Sequence, residues 1–372
     1  MLHRTPGRRS EHTLGYYKRL RYAGPTGRIQ RLRLNGSNRR DAMAVTLADV
    51  AEACGISAST VSRALADPEK VNPLTRDRVL KIAREMGYVP NHVARSLSSG
   101  RTGILGLVVP DIANPFFPPL IKAVQARAGY KGLQVLLADT DEHARDEIDR
   151  ATMMSRQTDG MILASPRTPE DRLAALTDLG PVVFVNREVP GAPSVVIDEA
   201  EGMHQAVHHL TALGHKRLCY LAGPRRSWSN SQRSAAVAAA CAEHGVDVVE
   251  FGPFEAQVQS GVHAADLVLA SGATAVIAYD DLIALGVMAR LTERGIHAGQ
   301  EISLIGVDDS PLSQMAHPTL TSVHVPSGEL GSVGVDLLLA QINDADTTEP
   351  DQPARVLLET RLVVRSSTGP AR

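Results

Sequence analysis

The stretch TLADVAEACGISASTVSRALA, residues 46–66, carries the pattern of two short helices joined by a tight turn. Thr46 followed three residues later by Asp49 is a capping-box start, and Gly55 suits the left-handed backbone that ends a helix. Ser57 is placed to cap the second helix, whose outward face carries short polar side chains and Arg63. Helix pairs in general are more often parts of an α-helical core. Periodicity alone favours that interpretation, although the layout is also that of a helix-turn-helix, whose second helix enters the DNA major groove.

Eight positions of this stretch fit the pattern A-x-x-x-G-[IV]-S-x-x-T-V-S-R, which runs from Ala51 to Arg63. At these positions the chain resembles the LacI/GalR family of bacterial transcription regulators, and the resemblance continues to the C-terminus. It implies an α/β protein with an N-terminal helix-turn-helix DNA-binding head and a two-lobed, periplasmic-binding-protein-like core of doubly wound parallel sheets. It also implies a cytoplasmic homodimer that binds a pseudo-palindromic double-stranded operator, most simply as a repressor, under the control of a small-molecule effector.

The second helix offers three candidates for reading bases. Arg63 can present a bidentate fork to a guanine. Ala58 and Ser59 occupy positions at which the family varies its sequence preference; Ala58 could meet a thymine methyl, and Ser59 a base or only a phosphate. The remaining hydroxyl side chains are expected to fix the docking through the DNA backbone or simply to cap helices, and they are Thr46, Ser57, Thr60 and Ser62.

A short segment then leads from the head to the core. Residues 91–97, NHVARSL, are too few to form a stable isolated helix. They resemble the family's hinge helix, which folds only on operator DNA, where a leucine from each subunit wedges between base pairs in the minor groove and bends the duplex. Leu97 stands at the wedge position, and the plainer alternative is that it packs on the core. The DNA-contacting candidates of this segment are Asn91, Val93, Ala94 and Leu97.

Residues 1–42 hold eleven basic side chains against only Glu11 and Asp41. One interpretation is a basic arm that adds non-specific phosphate contacts. The interpretation we favour is that the segment is a disordered extension, or that translation begins at Met43, directly before the family-like sequence. No continuous apolar stretch in it matches a secretory signal.

From about residue 103 the pattern changes to short apolar runs that alternate with amphipathic helices, as in doubly wound parallel sheets. Two consecutive sets of such units predict two lobes of similar architecture. The runs are 104–109, 134–138, 160–164, 182–185 and 194–197, then 218–222, 246–251, 275–279, 303–307 and 322–325. The expected domains are an extension 1–42, a head 43–90, a hinge and linker 91–102, and a core 103–372 with lobe 1 at about 103–197 and 327–354 and lobe 2 at about 198–326 and 355–366.

Ligands of such folds bind beyond the carboxyl ends of the strands, here in the cleft between the lobes. By the family resemblance, Arg233 binds the effector and Asp280 and Asp308 bind ligand hydroxyls. Carboxylates, an arginine and aromatic rings suit a sugar or sugar derivative, and a purine or phosphorylated co-repressor is the alternative. The candidate effector residues are Asn114, Phe116, Phe117, Asn186, Arg233, Asp280 and Asp308, with Trp228 and Phe254 as further ring candidates.

Two observations limit the effector prediction. The two phenylalanines could equally serve in packing between the lobes. The sequence also departs from the family at the cleft: Asn186 stands where aspartate is frequent, Asp280 where asparagine is frequent, and Val325 where glutamine is frequent. Ala236 and Val237 replace a glycine and an aromatic residue after the arginine. We therefore expect a ligand different from those of the best-known members.

Other function classes find little support in the sequence. A formal net charge of −2 argues against a chain coated in basic residues, and three cysteines without metal-ligand spacing argue against a metal site. No apolar run reaches the length of a membrane span, and no phosphate-binding loop or nucleophile elbow is present. We expect no catalytic residue, metal or cofactor, and no membrane partner. A periplasmic sugar-binding protein is the alternative, but it would have no use for residues 46–97.

Overall fold

The computed structural model describes residues 45–66, 70–88, 101–344 and 353–372. The chain divides into two compact units, residues 1–89 and 90–372. The described helices of residues 45–88 lie in the first unit, and both sheets lie in the second.

The head is a bundle of three helices, α1 (Leu47–Cys54), α2 (Ala58–Ala66) and α3 (Pro73–Glu85). α1 begins with the predicted capping box, because Thr46 and Asp49 each accept a backbone hydrogen bond from the other. It ends at Gly55, whose φ of 63° is the left-handed value that glycine tolerates. The three helices bury one shared apolar cluster, which includes Val50, Cys54, Val61, Ala64 and Val79.

The first lobe of the core starts with three βα units, which two further strands follow. Its elements are β1 (Ile104–Val109), α4 (Phe117–Tyr130), β2 (Gln134–Asp139), α5 (Ala144–Ser155), β3 (Gly160–Ala164), α6 (Glu170–Ala174) with a following 3-10 turn (Ala175–Leu179), β4 (Val182–Val185) and β5 (Ser194–Ile197). β1, β3, β4 and β5 are buried along nearly their whole length, as their continuous apolar sequences predict.

The second lobe repeats this plan. Its elements are α7 (Glu199–Ala212), β6 (Arg217–Leu221), α8 (Trp228–His244), β7 (Asp247–Phe251), α9 (Val258–Ser271), β8 (Ala275–Ala278), α10 (Asp281–Glu293), β9 (Ser303–Asp308), α11 (Pro311–Met315) and β10 (Thr321–His324). The chain then forms α12 (Ser327–Asp344), β11 (Arg355–Leu358) and β12 (Arg361–Val363).

Two six-stranded sheets result, with the orders β2-β1-β3-β4-β5-β11 and β7-β6-β8-β9-β10-β12. Every pairing is parallel except that of β12 with β10. The predicted fold class is confirmed, and each of the ten predicted strands is present. In both sheets the strand order reverses beside the first strand of the lobe, and such a point is where α/β folds bind ligands.

The expected lobe boundary at residue 355 is wrong. β11 pairs in parallel with β5 and therefore belongs to the first sheet, while β12 joins the second sheet beside β10. The chain thus crosses between the lobes at Glu359 and Thr360, because the apolar residues of β11 complete the edge of the first sheet before the chain leaves it.

Helices α9 and α10 of the second lobe cross with their backbones in close contact. A Cβ atom added at Gly261 would lie 2.0 Å from the carbonyl oxygen of Ile283, and one at Gly286 would lie 1.9 Å from that of Val258. Only hydrogen atoms fit between the two backbones at this crossing. Among the described residues, no helix is long and apolar enough to cross a membrane.

Candidate functional site

The outward face of α2 is the candidate DNA-reading surface of the head. Ala58, Ser59, Ser62 and Arg63 are exposed, while Thr60 is half-buried. The apolar face of the same helix is held against the bundle by Val61 and Ala64. Helix α2 is therefore fixed in orientation, and its free side presents Arg63 and three small residues to solvent.

Three of the four hydroxyl side chains predicted to dock or cap are engaged at the helix starts, those of Thr46, Ser57 and Thr60. The Thr46 hydroxyl donates to the Asp49 carboxylate at 2.8 Å. Ser57 Oγ accepts from the Thr60 backbone N–H at 3.2 Å and shares hydrogen bonds with the hydroxyls of Ser59 and Thr60. The Thr46 contact sets the start of α1, and the Ser57 contacts set the start of α2, so Ser57 helps to position the reading helix.

Asn91, Val93, Ala94 and Leu97, expected in the hinge helix, lie outside the described residues, as does the whole of the 1–42 extension. Of the expected linker, Arg101 and Thr102 are described. The backbone N–H of Thr102 and that of Gly103 donate to the Asp159 carboxylate at 2.5 and 2.8 Å. This carboxylate fixes the point at which the core begins.

The core contains a small cavity of about 20 Å³, roughly the room that one water molecule needs, between the carboxyl ends of the two sheets. All seven residues expected at the effector site line it, together with three that were not predicted. Its lining is Asn114, Phe116, Phe117, Ser165, Arg167, Asn186, Arg233, Tyr279, Asp280 and Asp308. Residues from both lobes therefore face one space.

Arg233 on α8 is held rigidly at the cavity wall. Its Nε donates to the Glu199 carboxylate at 2.8 Å, and one terminal nitrogen donates to the Tyr279 carbonyl at 2.7 Å. The other terminal nitrogen lies 3.8 Å from Asp308 Oδ1, and the guanidinium stacks 5.0 Å from the Tyr279 ring centre. Burial opposes the charge, but the neighbouring carboxylates outweigh it and raise the pKa of Arg233. It is a permanent cation with a fixed direction.

Three buried carboxyl groups accompany this arginine. Burial raises the pKa of Asp308 well above its ordinary value, that of Asp280 to about 6 and that of Asp281 to about 7. Asp281 is satisfied inside the protein, because its two oxygens accept from Ser322 and from the Ser310 backbone, both at 2.7 Å. Asp308 accepts no hydrogen bond from any described residue and faces the cavity. It is thus free to accept from a bound molecule.

The two lobes are joined across the cavity by side-chain hydrogen bonds. Asn114 of lobe 1 donates to Asp280 of lobe 2 at 3.4 Å. Ser229 of lobe 2 donates to the Asn186 side chain at 3.0 Å, and the Asn186 amide donates to Ser165 Oγ at 2.9 Å. A ligand that replaces or completes these bonds would change how the lobes are held together.

Strained backbone surrounds the same cavity. Ser165, Asn186 and Asp308 have φ values of 47°, 54° and 104°, which side-chain-bearing residues rarely adopt. Each follows or ends a parallel strand, where a left-handed residue turns the side chain toward the space between the sheets. Such strain concentrates at ligand sites, because the surrounding fold must hold it in place.

Arg167 is a second buried cation of this cavity, and the sequence reading did not select it. Two of its nitrogens donate to the two oxygens of Glu142, at 2.5 and 2.9 Å, and a third contacts the Ser165 carbonyl at 3.0 Å. Burial opposes its charge, whereas Tyr279 and Glu142 raise its pKa. Its position directly after β3, at the reversal point of the first sheet, is the signal that could have identified it.

The ring candidates divide into two groups. Phe116 and Phe117 line the cavity and contact each other edge to face, with ring centres 5.0 Å apart. Trp228 and Phe254 do not line it. Trp228 lies beside Glu199 at a separate cavity, and Phe254 packs on the core of lobe 2. Trp228 precedes Arg233 by five residues, which is roughly 140° around the helix, so the two side chains leave α8 in different directions.

Comparisons with known proteins agree with this architecture. Residues 46–91 match the model of bacterial regulatory proteins of the lacI family, and residues 207–368 match the periplasmic binding protein-like domain. The regulator DegA of Bacillus subtilis is 31% identical over 338 residues, which cover 88% of this chain and 99% of DegA. The chain belongs to the LacI family.

Solved structures of LacI-family proteins share the fold. The Lac repressor dimer bound to operator and the anti-inducer ONPF superposes with a TM-score of 0.76 at 27% identity, covering 88% of this chain and 99% of that one. The regulator CelR in complex with cellobiose gives a TM-score of 0.64 at 30% identity, covering 87% and 99%. This LacI-family chain is therefore a DNA-binding transcriptional regulator, with a helix-turn-helix head and a core that resembles periplasmic binding proteins.

Proposed function

We propose that the chain is a cytoplasmic, dimeric repressor without catalytic activity, which binds a pseudo-palindromic operator through two copies of α2. The support lies in the exposed face of α2 and in the Lac repressor, a similar protein whose dimer binds operator. In this proposal Arg63 reads a guanine, and Ala58 and Ser59 set the preference at neighbouring bases. Thr46, Ser57, Thr60 and Ser62 hold the helix on the DNA backbone.

The hinge segment has a part in the same proposal. Asn91, Val93 and Ala94 would contact the minor groove, and Leu97 would wedge between base pairs at the operator centre. The support is the match of residues 46–91 to the lacI-family model, which extends as far as Asn91, together with the sequence of the segment itself.

We propose a carbohydrate as the effector, bound by the seven predicted residues together with Arg167 and Tyr279. One observation carries the proposal: the Asp308 carboxyl group, the fixed Arg233 fork and the paired phenylalanine rings face one cavity. Carboxylates accept hydrogen bonds from hydroxyls, and rings cover the apolar faces of a sugar. The similar regulator CelR has been solved with cellobiose, which favours the same ligand class here.

Binding in the cavity would be coupled to DNA through the lobe angle. The Asn114–Asp280 and Ser229–Asn186 hydrogen bonds join the lobes directly, so a ligand that inserts hydroxyls among them favours one lobe arrangement over another. The coupling is reciprocal. If the ligand changes the affinity of the protein for operator by some factor, operator DNA changes the affinity for the ligand by the same factor.

A ligand screen tests the proposal. The full chain is heated with mono- and disaccharides, and separately with purines and phosphorylated metabolites, and its melting temperature is recorded. We expect a sugar to raise the melting temperature, and the same sugar to change operator affinity in a fluorescence anisotropy titration. Stabilisation by a purine or a phosphorylated compound alone would overturn the carbohydrate assignment, as would a sugar whose binding is unaffected by Asp308→Asn.

A further inference from the structure

Helices α7 and α8 pack side by side in lobe 2 and bring together a group of imidazoles and a carboxylate. His204 and His208 lie one turn apart on α7, and Glu243 and His244 end α8. The ring centres of His204 and His244 are 5.6 Å apart, and those of His208 and His244 are 5.4 Å apart. No residue that the cavity uses belongs to this group.

The donor atoms of three members converge on one point. One ligand atom each from His204, Glu243 and His244 lies within 4.8 Å of the others, and His204 Nε2 is 3.5 Å from a Glu243 oxygen. Two donors bound to one tetrahedral zinc ion are roughly 3.4 Å apart, given bonds of about 2.0–2.2 Å. Small side-chain rotations would therefore close the group around an ion.

The alternative is an ordinary surface ion pair between His204 and Glu243, and two observations disfavour it. His244 Nε2 is buried and finds no hydrogen-bond partner among the described residues, which leaves a basic nitrogen without its usual interaction. An ion pair also involves only two of the donors, whereas atoms of His204, Glu243 and His244 all converge on one point. A metal ion instead uses the neutral form of each ring and gives the His244 nitrogen a partner.

The local charge also suits a cation. α7 carries no lysine or arginine, and the single one on α8 is Arg233, three turns from His244. Nitrogen donors with one carboxylate are typical of zinc and related divalent ions, whereas calcium and magnesium prefer oxygen donors alone.

We propose that His204, Glu243 and His244 bind a divalent transition-metal ion of the zinc type, with water completing its coordination and His208 as the neighbouring ring. The ion would tie the middle of α7 to the end of α8. These same helices carry Glu199 and Arg233, so the ion clamps the pair of helices that supports the cavity wall. The proposal does not depend on which ligand occupies the cavity.

The test uses the full chain without a polyhistidine tag, freed of metal by dialysis against a chelator. Zn²⁺ is titrated by calorimetry at about pH 7.5, where free imidazole is neutral. Co²⁺ in its place should give visible absorption bands that report the coordination. We expect one Zn²⁺ per chain at this site and a rise of several degrees in melting temperature.

Variants separate this site from others in the chain. His204→Ala and His244→Ala should each weaken this binding event at least ten-fold and abolish the Co²⁺ bands, and Glu243→Gln should weaken it less. His263→Ala, which removes an exposed histidine of α9 in the same lobe, is the control and should bind like the parent. Circular dichroism confirms that each variant is folded. Absence of stoichiometric Zn²⁺ binding overturns the proposal, and so does binding unchanged in both His204→Ala and His244→Ala.

Discussion

Arg233 Nε donates to Glu199 Oε2 at 2.8 Å in an ion pair whose side chains are only 3% and 2% exposed. Arg233 lies on α8 and Glu199 on α7, and their side chains meet at the cavity wall. Burial raises the pKa of Glu199, while the arginine opposes that rise. The carboxylate thus positions the arginine that the sequence resemblance selected, although it was not itself selected.

Removing that carboxylate should destabilise the core. Glu199→Ala leaves the Arg233 charge buried with one partner fewer, and breaking a buried pair in this way costs about 3–5 kcal/mol. Urea denaturation measures the free energy of unfolding. Glu201→Ala, an exposed change on the same helix, should stay within about 0.5 kcal/mol of the parent. Equal stability of the two variants would contradict the positioning role.

The Asp280 side chain should make stability depend on pH. Burial raises its pKa above the ordinary value for aspartate, to about 6, so the folded chain holds this proton more tightly than the unfolded chain does. Its favourable contribution exists at low pH and is lost as the pH rises from about 4 to about 6.

Asp280→Asn should flatten that part of the profile and stabilise the chain at pH 7 by about 2–3 kcal/mol. Asparagine can still accept the Ile283 backbone N–H that Asp280 caps at 2.8 Å. Denaturation midpoints at a series of pH values measure the effect, with exposed Asp247→Asn as the control. A profile identical to the parent's would refute the prediction.

Arg63→Ala should reduce discrimination between operators more than it reduces non-specific binding. The loss of one bidentate guanine contact corresponds to about 1–3 kcal/mol of discrimination. Anisotropy titrations on an operator duplex and on a random duplex, at several salt concentrations, measure specific and non-specific affinity separately. An equal loss on the two duplexes would remove Arg63 from the base-reading role.

Leu97→Ala should weaken operator binding and reduce DNA bending, because the smaller side chain cannot hold base pairs apart. Ligand binding to the core should be unchanged. Gel mobility of circularly permuted operator fragments reports the bend, and an unaltered bend angle would count against the wedge.

Gly286→Ala should destabilise lobe 2 by about 1–3 kcal/mol, because its Cβ would lie 1.9 Å from the Val258 carbonyl oxygen and force α9 and α10 apart. Gly129→Ala is the matched control. Its Cβ would meet nothing within 4 Å, and alanine is the better helix former. Thermal unfolding of both variants should show opposite effects, and similar midpoints would show that the crossing tolerates a methyl group.

Much of the architecture could be predicted because the core strands are continuous apolar runs and the head has strong capping signals. Thr46 and Gly55 mark the two ends of α1 by local chemistry, which needs no knowledge of the rest of the chain. β11 and β12 were missed for the opposite reason. They are four and three residues long and partly exposed, and only their pairing partners define them.

The candidate site shows the same division. Arg233 and Asp308 follow family motifs, and the structure brings them to one cavity with the other expected residues. Glu199, Arg167 and Tyr279 carry no such motif. The order of the strands and the packing of α7 against α8 determine the positions of these three residues. Local sequence does not predict either of these tertiary features. Trp228 is a candidate ring for the effector site as the single tryptophan of the chain. Its position on α8 instead places its side chain at a separate cavity.

The chain passes between the lobes at three places, between β5 and α7, between β10 and α12, and between β11 and β12. Two of these crossings are bonded to each other: the Thr360 hydroxyl donates to the Asp198 carbonyl at 2.7 Å, and the Asp198 N–H donates to the Leu358 carbonyl at 2.8 Å. Because these two crossings are bonded to each other, a change in the angle between the lobes has to bend the chain at one shared place. We therefore expect the lobes to open and close about this shared place, so that a ligand in the cavity acts through one angle.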